Sequence, residues 1–251
     1  MNIGVCGLGR AGKEMVRMIM KLKEDQLVMA VCREESSTAG RELGELLELP
    51  EIGVTIIKLS EIREYSKYVK VDVIIDFSHP STSLKLADIC KELGIHLVIC
   101  TTNFDEKEQC RLREIGNLGT IGMVYAPNLT IGINLLMEFV EKISRILIDF
   151  DFEIIERHGK SKPRPTTTAR LISNVINRGD TPISSIRVGG YVGVHEVTAA
   201  SDYERISIIH ESFSRQAFAN GALIAAKFIV DKKGLYGMQE VIGNLEEKLI
   251  H

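Results

Sequence analysis

The sequence predicts an α/β protein in which a parallel-sheet domain is joined to a second domain of the α+β class. In the first half of the chain, short apolar runs rich in β-branched residues alternate with helical stretches, as in the βαβ units of a parallel sheet. Beyond Pro127 this alternation stops, and strand-like runs follow one another with few helices between them. A chain of 251 residues, 45% of them hydrophobic, can bury the cores that two such domains require.

The strands and helices of the first domain alternate regularly. The strands are predicted at Asn2–Cys6, Leu27–Cys32, Val71–Phe77, His96–Cys100 and Gly122–Tyr125, and the helices at Gly12–Lys23, Thr38–Leu49, Ser81–Leu93 and Glu106–Gly116. Because a helix separates each strand from the next or follows it, these segments predict a parallel sheet of at least five strands.

The second domain is predicted to begin with a long amphipathic helix, Gly132–Arg145. Strand-like runs follow at Phe150–Glu156, Ile183–Tyr191, Gly193–Ala199 and Glu204–Glu211, and the last three are expected to pair antiparallel. An alanine-rich helix, Phe218–Val230, and the segment Gly234–Tyr236 are expected to return to the first domain. The predicted boundaries are residues 1–128 with about 217–251 for the first domain and 129–216 for the second.

A glycine-rich turn directly follows the first predicted strand and opens the first helix. It has the pattern G-x-G-x-x-G and consists of Gly7, Leu8, Gly9, Arg10, Ala11 and Gly12. The first glycine permits the tight bend, the second lets a pyrophosphate approach the backbone, and the third lets helix and strand pack closely. The N–H groups and the dipole at the helix start attract phosphates. The segment therefore predicts a Rossmann-type domain that binds a dinucleotide.

The end of the second strand bears on which dinucleotide is bound. NAD usually meets an acidic residue there, which accepts hydrogen bonds from the ribose. This chain has Cys32 and Arg33 instead, and an arginine can pair with the 2′-phosphate of NADP. We therefore expect NADPH to be preferred over NADH. Two alternatives stay open: Arg33 is a solvated loop charge, or Glu34 and Glu35 support NAD binding.

Composition argues against several other classes of function. A net charge of −3 gives no broad positive field, so nucleic acid is not an expected partner. The five cysteines show no C-x-x-C spacing, and the histidines and acids lack the spacing of metal ligands, so no disulfide framework and no metal are expected. The chain opens on an apolar strand without a signal sequence, and no apolar run approaches about 20 residues. We therefore expect a cytoplasmic protein without a membrane segment.

A loop rich in basic and hydroxyl side chains follows the first strand of the second domain. His158 can titrate near neutral pH, and Lys162 can supply a proton or hold a carboxylate. Thr166, Thr167 and Thr168 offer hydroxyl and N–H groups at the start of the next helix. Together they suit a small dianionic substrate that is reduced by hydride and then protonated. The alternative is a basic surface loop with a Ser/Thr helix cap.

This loop resembles the signature of the dihydrodipicolinate reductase family. The stretch E-I-I-E-x-H, the lysine four residues after the histidine, and the segment P-x-x-T-A are similar to the signature E-x-H-H-x-x-K-x-D-A-P-S-G-T-A. Further matches occur in family order along nearly the whole chain: the glycine motif, 76–78, 101–104, 126–132, 187–195, 214–222 and 234–238.

The resemblance implies a reductase of the lysine and diaminopimelate pathway that reduces 4-hydroxy-tetrahydrodipicolinate, a small dicarboxylate, with NADPH or NADH. It implies that His158 and Lys162 take part in protonating the reduced imine. It also implies a homotetramer built by the second domain. The expected substrate contacts are Gly159, Arg164, Thr167 and Thr168, and the further expected cofactor contacts are Cys100, Thr101, Thr102, Ala126, Pro127, Asn128 and Leu129.

The departures from the family pattern are concentrated in the substrate loop. Gly159 replaces the second histidine, one residue is missing, and Thr167 stands where the family has a glycine whose positive φ a β-branched residue does not easily adopt. The missing residue also makes Lys160 a rival for Lys162. The alternatives are a family reductase that acts on a different imine, a non-catalytic NAD(P)-sensing protein, and a Rossmann dehydrogenase that acts on an alcohol or semialdehyde.

Two further histidines lie on predicted elements. His79 follows a strand at the carboxyl edge of the parallel sheet, where ligands usually bind, and is expected either to contact the cofactor or to cap the following helix. His195 lies on a predicted strand and is expected to be a packed or interface residue rather than a catalytic one.

Overall fold

The computed structural model describes residues 1–179 and 181–250, with side chains of the last helix described up to Glu247. The chain divides into two compact units. Unit 1 consists of Met1–Leu129 and Phe218–His251, and unit 2 of Thr130–Ala217. Among the described residues, no helix has both the length and the apolar character needed to cross a bilayer.

Strands and helices alternate through most of the chain. The strands are β1 (Asn2–Cys6), β2 (Gln26–Cys32), β3 (Ile56–Lys58), β4 (Val73–Asp76), β5 (His96–Ile99), β6 (Gly122–Tyr125), β7 (Asp151–His158), β8 (Ile183–Arg187), β9 (Gly193–Ala200), β10 (Arg205–Ser212) and β11 (Gly234–Tyr236). The α-helices are α1 (Arg10–Leu22), α2 (Leu43–Leu47), α3 (Ile62–Tyr65), α4 (Pro80–Leu93), α5 (Glu106–Asn117), α6 (Ile131–Ile146), α7 (Thr167–Ile176), α8 (Gln216–Ile229) and α9 (Met238–Ile250).

Unit 1 is built on a seven-stranded sheet with the order β11-β6-β5-β4-β1-β2-β3. All of its strand pairs are parallel, which confirms the predicted Rossmann-type sheet. The order of strands reverses beside β1, and in sheets of this kind ligands bind at such a point, outside the carboxyl ends of the strands. The segment expected to return to the first domain forms β11, which pairs with β6.

The prediction of a long helix at Thr38–Leu49 was wrong. Only Leu43–Leu47 are helical, because the Glu42 side chain accepts hydrogen bonds from the N–H groups of Gly44 and Glu45 and starts the helix there. The preceding backbone pairs with the short strand β3 instead, through hydrogen bonds from Gly40 N–H to the Ile56 carbonyl and from Ile56 N–H to the Arg41 carbonyl. The strand β3 is three residues long and was not predicted from the sequence.

Unit 2 is built on a four-stranded sheet with the order β10-β9-β7-β8. The expected antiparallel pairing holds for β9 and β10, but β8 pairs parallel with β7 instead of antiparallel with β9. The reason is the helix α7, which lies between β7 and β8 in the chain and provides the crossover that a parallel pair needs. Phe152 and Ile154 on β7 pack in one core cluster with residues of α6 and α7.

Candidate active site

The glycine-rich turn between β1 and α1 has two glycines that the backbone requires. Gly7 has a φ of +86°, and a Cβ there would lie 2.6 Å from the Phe77 carbonyl oxygen. A Cβ on Gly12 would lie 1.9 Å from the Gly7 oxygen. Gly9 differs, since a Cβ there would meet no atom within 4 Å. Gly9 is also the N-cap of α1, and no side chain caps the first turn. This open helix start, with Leu8 half-buried before it and Arg10 and Ala11 beginning the helix, fits a phosphate group.

A cavity of about 360 Å³ lies beside this turn. Its charged lining consists of Lys13 and Arg33, and Ser36 and Thr38 add hydroxyl groups. Glu34 does not line the cavity, because its carboxylate accepts hydrogen bonds from the Ser60 N–H and hydroxyl at 2.7 and 2.9 Å. The cavity therefore offers positive charge and hydroxyl groups at the end of β2.

A second cavity, of about 250 Å³, lies at the carboxyl ends of β4 and β5. It is lined in part by Thr101, Thr102 and His79. Thr101 is buried, and its hydroxyl lies 3.3 Å from the buried carboxylate of Asp76. His79 is the N-cap residue of α4, but its side chain does not cap the helix; its Nδ1 lies 3.3 Å from the Ser81 hydroxyl instead. His79 lines both cavities.

The remaining predicted cofactor residues of unit 1 follow β5 and β6. Cys100 is half-buried, and its N–H donates to the Asp76 carbonyl at 2.9 Å. Ala126 donates its N–H to the Ile99 carbonyl at 2.9 Å. Ala126, Asn128 and Leu129 are buried and Pro127 is exposed. All of the predicted cofactor residues thus follow strands that end at one edge of the unit 1 sheet.

His158 and Glu156 lie on the face of β7 that also carries Phe152 and Ile154. The predicted loop position of His158 was wrong, because β7 extends two residues past the predicted end and His158 is its last residue. The imidazole is buried, and its Nδ1 lies 3.1 Å from the Val192 carbonyl oxygen. Burial lowers the pKa of His158 below its ordinary value, so the ring is neutral at neutral pH.

Glu156 is fully buried, and three residues donate hydrogen bonds to it. Its carboxylate accepts the N–H and hydroxyl of Thr166, the hydroxyl of Ser185 at 2.6 Å and the guanidinium of Arg187 at 2.6 Å. Burial alone would raise the pKa of Glu156, but these donors outweigh it and lower the pKa to about 2. Glu156 is therefore an ionised carboxylate inside unit 2.

His195 completes this buried cluster. Its Nε2 lies 3.4 Å from the Nε2 of His158 and 3.4 Å from the hydroxyl oxygen of Thr166. Burial and the neighbouring His158 lower the pKa of His195 to about 3. His195 is packed, as expected, and its ring meets that of His158 edge-on, with the ring centroids 5.1 Å apart.

Glu156, His158 and His195 place ligand atoms within 4.8 Å of one another, a grouping that the sequence spacing did not indicate. By distance alone they could hold a metal ion. The carboxylate, however, already accepts donors at both oxygens, including a guanidinium that would repel a cation. We therefore interpret the cluster as a hydrogen-bond network.

The loop after β7 is exposed at its side chains but anchored through its backbone. Lys160, Lys162 and Arg164 are all exposed. The Gly159 N–H donates to the Tyr191 carbonyl at 3.1 Å, and Arg187 donates to the carbonyls of Lys162 and Pro163. Arg187, which pairs with the buried Glu156, therefore also holds the backbone of the loop.

The three threonines form the start of α7. Thr166 is the N-cap, and its hydroxyl accepts from the Ala169 N–H at 3.3 Å. Thr167 and Thr168 are the first two helical residues, so Thr167 has a helical φ and the strain expected from a β-branched residue at a glycine position does not arise.

Sequence reasoning missed Glu156, Ser185 and Arg187 as parts of this site. The two-residue period of a strand offered a signal for Glu156, because it puts residues 156 and 158 on one face. The strand period gave no such signal for Ser185 and Arg187, which reach the site through the pairing of β7 with β8.

The chain combines a Rossmann-type sheet that carries a glycine-rich turn with a second unit that carries a buried histidine beside a cationic loop. This combination is typical of one class of protein, the two-unit nicotinamide-dependent oxidoreductases. Family models described as dihydrodipicolinate reductase, N-terminus and C-terminus, match residues 1–129 and 132–242. The chain therefore belongs to the dihydrodipicolinate reductase family. The predicted function, reduction within the lysine and diaminopimelate pathway, is confirmed at the level of this family.

Individual relatives agree with this assignment. The 4-hydroxy-tetrahydrodipicolinate reductase of Methanopyrus kandleri is 36% identical, with 96% of each chain covered. That of Methylococcus capsulatus is 35% identical, with 96% of this chain and 97% of the relative covered. Among solved structures, the dipicolinate-bound dihydrodipicolinate reductase of Paenisporosarcina sp. TG-14 has a TM-score of 0.77 at 23% identity, covering 94% of this chain and 97% of that one. The amine dehydrogenase of Mycobacterium smegmatis shares the fold, with a TM-score of 0.69 at 12% identity and 94% of each chain covered.

Proposed function

We propose that this protein reduces 4-hydroxy-tetrahydrodipicolinate to tetrahydrodipicolinate with NAD(P)H. The names of relatives that align with 96% of the chain support this substrate. Within the structure, the observation that carries the proposal is His158. It is buried at the end of β7 beside the ionised Glu156, and the chain runs directly from it into the cationic loop that contains Lys162.

The substrate carboxylates are bound by Arg164 and the start of α7. Arg164 supplies an exposed positive charge, and the helix start supplies N–H groups and its dipole at Thr167 and Thr168. Gly159 leaves room for a ligand, because a Cβ there would meet only the Gly189 and Tyr191 carbonyl oxygens, at 3.7 and 3.8 Å. The missing second histidine is therefore compatible with an anion-binding loop.

His158 and Lys162 supply the proton that the reduced substrate takes up. A bound nicotinamide supplies the hydride. In the free protein His158 is neutral because burial lowers its pKa. The two negative charges of a bound dicarboxylate raise that pKa, so substrate binding itself favours the protonated imidazole. Transfer of this proton to the reduced substrate, with Lys162 nearby as the second donor, returns His158 to its neutral resting state.

NADPH is the proposed preferred cofactor. Gly7, Leu8, Gly9, Arg10, Ala11 and Gly12 bind the pyrophosphate, and the residues after β5 and β6, which are Cys100, Thr101, Thr102, Ala126, Pro127, Asn128 and Leu129, bind the nicotinamide end. Arg33 and Lys13 line the cavity at the end of β2, where a 2′-phosphate would be bound. Glu34, the acid that could have supported NAD, is engaged by Ser60.

We also propose a cytoplasmic homotetramer assembled through unit 2. The sheet of unit 2 buries one face against α6 and α7, while its other face exposes the apolar side chains of Ile186 and Ile209. A subunit interface formed by this face would bury both isoleucine side chains. Light scattering coupled to size exclusion would measure the mass, and replacement of Ile209 by glutamate is expected to dissociate the assembly.

The test of function is the oxidation of NADPH, and separately NADH, while dihydrodipicolinate synthase makes the substrate in situ. We expect Lys162→Ala to lower the rate on the order of 100-fold, the contribution of a positioned proton donor. Lys160→Ala, two residues away on the same loop, is the matched control and is expected to stay within a few-fold of the unmodified protein.

Each of the other possible results would change either the proton donor or the proposed function. If the two lysine variants exchange their effects, Lys160 is the proton donor. No oxidation with cofactor binding intact would favour an NAD(P)-sensing protein. Reduction of another cyclic imine alone would move the protein to a different substrate, and turnover of an alcohol or semialdehyde alone would make it a dehydrogenase.

A further inference from the structure

The direction of each hydrogen bond in the buried cluster follows from Glu156. An ionised carboxylate can only accept, so the Thr166 hydroxyl, which lies against it, must point its hydrogen at Glu156. The Thr166 oxygen is then left with acceptor positions alone. One of them takes the N–H of Ala169 at 3.3 Å. The other faces the Nε2 of His195 at 3.4 Å.

This arrangement decides where the hydrogen of His195 lies. Since Thr166 has no further hydrogen to give, a hydrogen bond between them requires the Nε2 of His195 to carry the proton. The same Nε2 also lies 3.4 Å from the Nε2 of His158. The single Nε2–H of His195 is therefore shared between Thr166 and the Nε2 of His158.

His158 is fixed from its other side. The Val192 carbonyl 3.1 Å from its Nδ1 can only accept, so Nδ1 carries the proton of the neutral ring. The Nε2 of His158 is then a bare acceptor, and it faces the Nε2–H of His195. The two rings meet donor to acceptor, in a chain that runs from Glu156 through Thr166 and His195 to His158.

We infer that His195 is a positioning residue for His158: its Nε2–H, oriented through Thr166 by Glu156, holds His158 in the tautomer protonated at Nδ1. The kinetic consequences rest on the proposed function. The tautomer itself is a property of the ligand-free protein and is independent of the substrate.

The contact between His195 and His158 also affects the pKa of His158. Protonation at its Nε2 would set two N–H groups against each other unless His195 gave up its own donor. Other charged or titratable groups near the pair are Glu156 on the same strand, Arg187 on β8, Lys162 in the loop and His210 on β10. A substitution that removes the donor of His195 while leaving these groups in place is expected to raise the pKa of His158.

Nitrogen-15 NMR of the ligand-free protein, with His158 assigned by a His158→Gln variant, reads the tautomer directly. We expect the Nδ1-protonated form. Kinetics then compare His195→Leu, which loses the donor, with His195→Gln, whose side-chain amide can donate in its place. His195→Leu is expected to lower kcat on the order of 100-fold with KM within about three-fold. The limb of its kcat/KM profile that reports the essential acid, the fall in rate at high pH, should move to higher pH, and His195→Gln should restore both quantities.

The matched control is His210→Gln, because His210 lies directly opposite His195 on β10. This variant is expected to leave kcat unchanged. A His158 protonated at Nε2 in the unmodified protein would overturn the inference whatever the variants do, including a leucine variant that does not fold. Equal loss in the leucine and glutamine variants with an unchanged pH profile would reduce His195 to a packing role and also overturn it. A different substrate would instead abolish turnover in the unmodified protein and leave the NMR result intact.

Discussion

Replacing Glu156 by glutamine removes the buried negative charge that accepts hydrogen bonds from Thr166, Ser185 and Arg187. The pKa of this carboxyl is about 2 in the folded protein, against an ordinary value of 4.5. Each pKa unit corresponds to about 1.4 kcal/mol, so the ionised form stabilises the fold by about 3 kcal/mol at neutral pH. Because the folded pKa is the lower one, this contribution is present above pH 4.5 and is lost as the pH falls towards 2.

The free energy of unfolding, measured with urea at pH 7 and at pH 3, tests this reasoning. Glu156→Gln is expected to destabilise the protein by about 3 kcal/mol at pH 7, and the penalty should shrink to about 1 kcal/mol at pH 3, where the carboxyl has already lost its charge in the unfolded chain but keeps it in the folded protein. Glu153→Gln is the control, since Glu153 lies on the exposed face of the same strand and accepts from Ser184 at 2.8 Å. Its penalty should stay within about 0.5 kcal/mol at both pH values.

A Glu156→Gln penalty that is the same at pH 7 and pH 3 would refute the assignment of an ionised buried carboxylate. So would a penalty at pH 7 as small as that of the Glu153 control.

Three further predictions concern ligand binding and pH. Gly9→Ala should unfold like the unmodified protein but lose cofactor affinity in fluorescence titrations, whereas Gly12→Ala should lower the melting temperature, because its Cβ would overlap the Gly7 oxygen. Arg33→Ala should raise the KM for NADPH on the order of 10-fold and leave that for NADH unchanged, and an equal change for both cofactors would remove the 2′-phosphate role. The pKa of the essential acid, seen as the fall of kcat/KM at high pH, should lie below 6.5, because burial lowers the pKa of His158, and the one seen in kcat should be higher; identical values would contradict protonation promoted by the substrate.

The sequence predicted the features that local pattern determines. The glycine motif, the alternation of strands and helices, and the helix start at the three threonines depend on residues close together in the chain. The pairing of β8 with β7 depends on how α7 packs across the sheet, so the contacts of Ser185 and Arg187 with Glu156 were not predictable. The role of His195 depends on register in the same way, because β9 brings it opposite Glu156.

The buried network and the divergent loop place different constraints on this protein. Arg187 is held by Glu156 and in turn holds the Lys162 carbonyl, while the Gly159 N–H is bound by the Tyr191 carbonyl. The loop backbone is therefore anchored near both ends of the segment in which one residue is missing relative to the family signature. Side chains between these anchors are exposed and can vary without disturbing the network. Substitutions at Lys160 and Ser161 should therefore leave the network intact, whereas substitutions in the network should change stability and proton transfer.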